Sequence, residues 1–317
     1  MAALSVLTDA EKEYFLTHGW LKIPGAFTRD QADEVTKHVW TRLDMSPADK
    51  STWTRVRTNM PHHRTFDAAE FAPRAWAAIC ELCGGEERIT PDSRLWRDNL
   101  IVNLGNAELE GKPVPPQELD GWHVDGDFFV HYLDSPEQGL LVIPLFTDIV
   151  PDGGGTFICP EAIPNVAKYL HDHPEGVSPS MVPRGHPDFS NEKNLAWFNA
   201  VAASSTHFVE AHGKVGDVYL LHPLMLHTAS SNALRKVRII TNPPVHMKEP
   251  FRFYREDGNC TLVGRTTLRA LGKDGLRDWK ITAPRQGVVP SRIKIWEQMK
   301  VEEARRMEAS RKVSAAA

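Results

Sequence analysis

Three ionisable side chains fall inside one short apolar stretch, GWHVDGDFF at 121–129: His123, Asp125 and Asp127. On an extended segment successive side chains alternate faces, so a His-x-Asp pair points one way. An imidazole and a carboxylate so placed, joined by a second imidazole from elsewhere, make the 2-His-1-carboxylate set that holds Fe(II) and leaves coordination positions open. Asp127 shares the parity and competes with Asp125 as ligand, or orients His123 as an acceptor. The plainer use of such a motif is an interior hydrogen-bond network. The second imidazole is sought in GDVYLLHPLMLHTASSN, where His222 and His227 both follow an apolar strand pattern. Eleven residues beyond His227, Arg238 opens the run RIITN. A buried guanidinium there suits bidentate capture of a carboxylate.

Other clusters have plainer readings. His171–His173 and His186–Asp188 have ligand-like spacing, but they sit in polar, Pro-flanked segments and read as solvated groups. Cys80 and Cys83 form a C-x-x-C at the end of an amphipathic helix pattern stopped by Gly84 and Gly85, while Cys159 and Cys260 offer no matching pair. Two ordinary thiols are expected there. The glycines of DGGG at 152–155 lack phosphate-loop spacing and read as a tight turn between strands.

The elements that must position these residues are β-rich. From about residue 95 short apolar runs broken by Gly, Pro and Asp follow one another: LWRDNLIVNLG, GWHVDGDFF, GLLVIPLFTDIV, GGTFICPEAI, THFVEAHGKVGDVYLLH and VRIITNPPV. Their spacing predicts a sandwich or barrel. Thr8 with Glu11, and Thr28 with Gln31, are capping boxes that open two helices ahead of this region. IPNVAKYLHDHPEG predicts a helix ended by Pro174, and SPSMVPRGHPDFSNEKN a surface loop or lid. The C-terminal SRIKIWEQMKVEEARRMEASRKVSAAA predicts a charged helix with a solvated face.

The 317 residues, 41% of them hydrophobic, suffice for a sizeable core. With 37 Lys and Arg against 41 Asp and Glu, no global field favours nucleic acid or an anionic membrane. The expected partner is a small molecule, with no nucleic acid and no membrane; the oligomeric state is open, a homodimer being one option. An acidic N-terminus unlike a secretory leader, no long apolar run, and a C-terminus unlike Ser-Lys-Leu give a cytoplasmic expectation.

The stretches WHVDGDFF, DGGGTFICPEA and GDVYLLHPLMLHTASSN followed by RKVRI resemble the motifs of the phytanoyl-CoA dioxygenase-like family of Fe(II)- and 2-oxoglutarate-dependent oxygenases. The opening LTDAEKEYFLTHGWLKIPGAFTRDQADEV is similar to that family's first helix, strand and helix, so the likeness spans roughly 5–245. The resemblance implies a mainly β fold with flanking helices, a double-stranded β-helix of the jelly-roll, cupin-like kind. It implies that His123, Asp125 and His227 bind iron, with His227 preferred over His222. Arg238 would pair with the far carboxylate of 2-oxoglutarate, and Thr156 falls where the family has a small polar residue near this cosubstrate. The expected activity is oxidation of an unactivated C–H bond with Fe(II), 2-oxoglutarate and O2, releasing succinate and CO2. The substrate would be a secondary metabolite or small amino acid; the alternatives are an acyl-CoA hydroxylase or a non-catalytic, cupin-like metal-binding barrel. One oxygenase domain is expected over 1–317, with N-terminal helices at about 8–90, a β-helix core at about 95–247 and a basic, helical extension at about 250–317.

Overall fold

A computed structural model describes residues 5–190, 192 and 194–316 of the chain. Among the described residues the N-terminal third holds five α-helices with short strands between them. Both capping boxes form: the Thr8 and Thr28 side chains accept from the Glu11 and Gln31 amides, and the Glu11 and Gln31 side chains return the contact. They open α1 (Asp9–His18) and α2 (Arg29–Thr36), separated by strand β1 (Trp20–Ile23) and followed by α3 (Val39–Leu43). Strands β2 (Arg57–Asn59) and β3 (Thr65–Asp67) lead to α4 (Ala68–Phe71) and α5 (Pro73–Cys83). Gly84 caps α5 in the left-handed region at φ 86°. Burial pushes the Cys80 thiol up to about 12 and raises that of Cys83 as well, so neither is a ready thiolate.

The β-rich region holds β4 (Leu95–Arg97), β5 (Ile101–Asn103), β6 (Leu140–Pro144), β7 (Thr156–Cys159), β8 (Val209–Ala211), β9 (Val218–Leu221), β10 (Leu226–Ala229), β11 (Arg238–Ile240) and β12 (Pro244–Val245). Helices α6 (Ile163–Asp172) and α7 (Ala196–Ala203) lie between β7 and β8, and α8 (Leu262–Ala270) and α9 (Arg292–Ala316) follow β12. The strand pairs are antiparallel and give the orders β1-β9-β6-β12, β10-β7-β8, β11-β5-β2 and β3-β4. Every residue of β6 and β9 is buried, which explains their unbroken apolar runs. A bridge between Leu145 and Ile240 ties the end of β6 to β11. The chain is thus a set of antiparallel sheets with flanking helices, and no helix among the described residues is long and apolar enough to cross a membrane.

Three expectations need correction. LWRDNLIVNLG is two strands, because Asp98 turns inward and accepts from the amides of His63 and Arg64 at 2.7 and 2.8 Å. GWHVDGDFF contributes no strand, only an isolated bridge at His123 and another at Phe129. The segment after Val177 does not begin on the surface: Ser178 and Met181 are buried, although Asp188 is exposed. Asn191 and Lys193 of that segment lie outside the described residues. The charged C-terminal helix forms as α9 with one face solvated, while the other packs inward and leaves Glu303 1% exposed against Arg42 of α3.

Candidate metal centre

His123 and His227 face each other as an antiparallel pair that exchanges both backbone hydrogen bonds, at 3.1 and 3.0 Å. The ladder continues only on one side, where β10 pairs β7 and sets His227 opposite Ile158. The segment before His123 is held by Asn199 of α7, whose side chain accepts from the Trp122 amide and donates to the Asp120 carbonyl. One bridge therefore does the work expected of a strand, bringing the two ring centroids to 4.3 Å. Asp125 joins them: its Oδ1 lies 3.5 Å from Nε2 of each histidine. One ligand atom from each of the three residues lies within 4.8 Å of the others.

The ring orientations fit a metal. Nδ1 of His123 lies 2.8 Å from the Gly121 carbonyl, and Nδ1 of His227 lies 3.1 Å from that of Met225. A carbonyl only accepts, so each Nδ1 carries a proton and each ring turns its Nε2, the atom left to ligate a metal, toward Asp125. Two ring nitrogens and a carboxylate oxygen converging on one point call for positive charge among them. Burial raises the Asp125 pKa, but the contacts with His123 and His227 outweigh it and hold the carboxyl well below the usual range. The other carboxylate oxygen, Oδ2, accepts from Asn242 Nδ2 at 3.2 Å.

Asp127 does not join this set. Gly126, at φ 119°, swings the chain away, and a Cβ there would meet the Phe129 ring at 2.5 Å. Asp127 instead pairs with Arg292, accepting from Nη2 at 2.7 Å. His222 is also excluded: it is fully buried, with Nε2 3.0 Å from Thr267 Oγ1 and Nδ1 accepting from the Leu224 amide. Burial drives its pKa down to about 3, so it stays neutral. His171 and His186 make local contacts with Asp172 and Asp188 and belong to no metal-ligand cluster among the described residues.

Arg238 opens β11, paired with Asn103 of β5, and is 2% exposed. Nη2 donates to Thr156 Oγ1 at 2.7 Å, while Nε and Nη1 are buried without hydrogen-bond partners. Burial lowers its pKa to about 9, with Arg57 adding repulsion and Glu210 opposing it. The group still carries its charge at neutral pH. A buried cation with half its fork unsatisfied is costly alone and suited to an anion that reaches it. His123, Asp125, His227, Thr156 and Arg238 all line one cavity of about 1070 Å³.

Sequence reasoning missed Asn242 and Arg292. Asn242 had a readable signal, since 238, 240 and 242 share strand parity and would face one way. Arg292 had none, because its partner lies 165 positions away.

No family model and no curated protein matches this chain. Solved structures similar to it include HygX from Streptomyces hygroscopicus with nickel and 2-oxoglutarate bound, at 14% identity over 76% of this chain and 88% of that one, with a TM-score of 0.39. EctD from S. alaskensis with 2-oxoglutarate and 5-hydroxyectoine is 14% identical over 78% of each chain, TM-score 0.41. The 2-oxoglutarate-dependent carbocyclase SnoK from nogalamycin biosynthesis is 15% identical over 89% of this chain and 97% of that one, TM-score 0.40. Likenesses this distant decide nothing about the chemistry of the present chain.

Proposed function

We propose that the chain is a non-haem Fe(II)- and 2-oxoglutarate-dependent oxygenase that oxidises a C–H bond of a small organic substrate. Its fold is read as a double-stranded β-helix of the phytanoyl-CoA dioxygenase-like kind, acting as one domain over 1–317 in the cytoplasm. The observation that carries the proposal is the pairing, in one cavity, of a His/Asp/His ligand set with a buried arginine whose Nε and Nη1 lack partners. The ligand set alone would serve a hydrolase or a storage protein equally well. The arginine adds a requirement for a carboxylate.

In this reading His123, Asp125 and His227 hold the ion on one side. A ferrous ion bound there supplies O2 activation and the oxidising power, the hard chemistry that side chains lack. Arg238 takes the far carboxylate of 2-oxoglutarate, and Thr156 fixes the guanidinium so that its free edge faces the cavity. Asn242 holds the rotamer of Asp125. One oxygen atom of O2 goes to the substrate and the other to succinate, with CO2 released. A cavity of about 1070 Å³ stands at the top of the range of about 300–1000 Å³ that accepts drug-sized ligands. The carboxylate of Asp125 occupies the position that a halogenating variant would leave for halide, so hydroxylation or a related oxidation is the expected outcome.

The deciding experiment is succinate release from 2-oxoglutarate across a metabolite panel, with wild type and Arg238→Leu. Losing one partner of a desolvated charge pair costs about 2–5 kcal/mol, so the KM for 2-oxoglutarate should rise at least about thirtyfold. An unchanged KM in Arg238→Leu would remove the cosubstrate from this site.

A further inference from the structure

Helix α9 carries the half-buried or buried positions 292, 293, 296, 299, 303, 306 and 307, a single stripe at helical spacing. Three of them are tethered to different parts of the fold. Arg292 binds Asp127, and its guanidinium lies 4.7 and 4.8 Å from the ring centroids of Phe128 and Trp296. Trp296 Nε1 donates to the Asn59 carbonyl of β2 at 3.1 Å. Glu303 accepts from Arg42 Nε at 2.8 Å and lies 3.0 Å from His63 Nε2, while Arg42 also donates to Asp98 and to the Pro61 carbonyl. Arg292 and Trp296 line the cavity that holds the ligand set. Glu303 does not; at about 1.5 Å per residue it sits roughly 16 Å down the helix from Arg292.

A buried carboxylate is a poor way to gain stability but a good way to fix register, because any slip leaves charge unpaired in the interior. The same logic holds at the other end, where Arg292 is neutralised by Asp127 and flanked by two aromatic rings.

We propose that α9 is the substrate-selecting wall of this cavity, with Arg292 its specificity-determining residue and Glu303 its positioning residue, and that an uncharged organic molecule is the ligand it fits. The charge of Arg292 is met by Asp127, and Lys294 of the same helix is matched in the lining by Glu297, so the wall offers apolar and aromatic surface with no net charge. A polyanion such as a CoA thioester would bring its charge against Asp127 and Glu297 on that wall. The wall itself stands on contacts alone, while its role in selection rests on the oxygenase reading.

The test uses the full chain as wild type, Arg292→Gln and Glu303→Gln. Hydrogen–deuterium exchange of 121–129 and 57–60 should quicken at least tenfold in both variants, with exchange in β6 and β9 unchanged. Equal protection in all three proteins overturns the wall. In the succinate assay, Arg292→Gln should raise the KM of the accepted substrate at least tenfold and move that of 2-oxoglutarate less than twofold. A parallel rise in both constants, or a CoA thioester as the accepted substrate, overturns the selection role. If wild type releases no succinate with any compound, the oxygenase reading has failed, and the exchange result alone decides whether α9 is a wall.

Discussion

Two histidines five positions apart have opposite environments, and the contrast makes a sharp prediction. His227 turns its Nε2 toward Asp125, whereas His222 spends both ring nitrogens on Thr267 and the Leu224 amide. His227→Ala should abolish Mn(II) binding followed by titration calorimetry, with little loss of stability. His222→Ala should keep the metal affinity and cost about 1–3 kcal/mol in urea unfolding, the price of orphaned buried groups. The pH response separates them further. With a folded pKa of about 3 against roughly 6.5 unfolded, His222 is neutral in both states above about pH 6.5 and has no effect there. Below that pH the unfolded chain takes up a proton that the native one refuses, so stability falls at about 1.4 kcal/mol per pH unit until about pH 3. Stability of wild type and His222→Gln measured from pH 7 to 4 should converge as pH drops. Parallel curves would sink this assignment. Sequence reasoning preferred His227 by resemblance; what it lacked was the partner of each ring nitrogen, which only the packed fold supplies.

At the scale of elements, α9 shows how a charge pattern reveals one face of a helix and leaves the other unread. Its alternating signs read as a helix with a solvated face, and most of its described side chains are exposed. Glu303 is the one charged residue of α9 buried outright among the described side chains, and its type and charge do not distinguish it from Glu302 beside it. Breaking a buried pair costs about 3–5 kcal/mol, and here the low end applies because Asp98 still faces Arg42. Glu303→Ala should therefore lose about 3 kcal/mol in urea unfolding, and Glu302→Ala close to nothing. Equal effects would mean that the helix docks by other means. The capped helices were legible because their signals are local: Thr8 and Thr28 bind amides three residues on. The His123 segment was legible in outcome but not in mechanism, since a lone bridge preserved the alternation expected of a strand.

At the scale of the molecule, the cavity is assembled from β2, the 123–127 segment, β7, β10, β11 and the start of α9, so no window of sequence contains it. The ligand motif could be read because its first two members are neighbours; the walls could not, because they meet only through long-range packing. A ligand that binds only the native state at a hundredfold excess over its Kd adds about 2.7 kcal/mol of stability. Mn(II) and 2-oxoglutarate together should raise the melting temperature by several degrees in a thermal scan. In Arg238→Leu only the metal's share should remain.

Among the described residues lining that cavity, Arg57, Arg238, Arg292 and Lys294 stand against Asp125, Asp127, Glu192 and Glu297. The chamber is formally electroneutral. A dication alone would leave it two charges positive and a dicarboxylate alone two charges negative, but the two together restore balance. Each should therefore enter more readily after the other, a reciprocal coupling that weakens as added salt takes over the neutralising role.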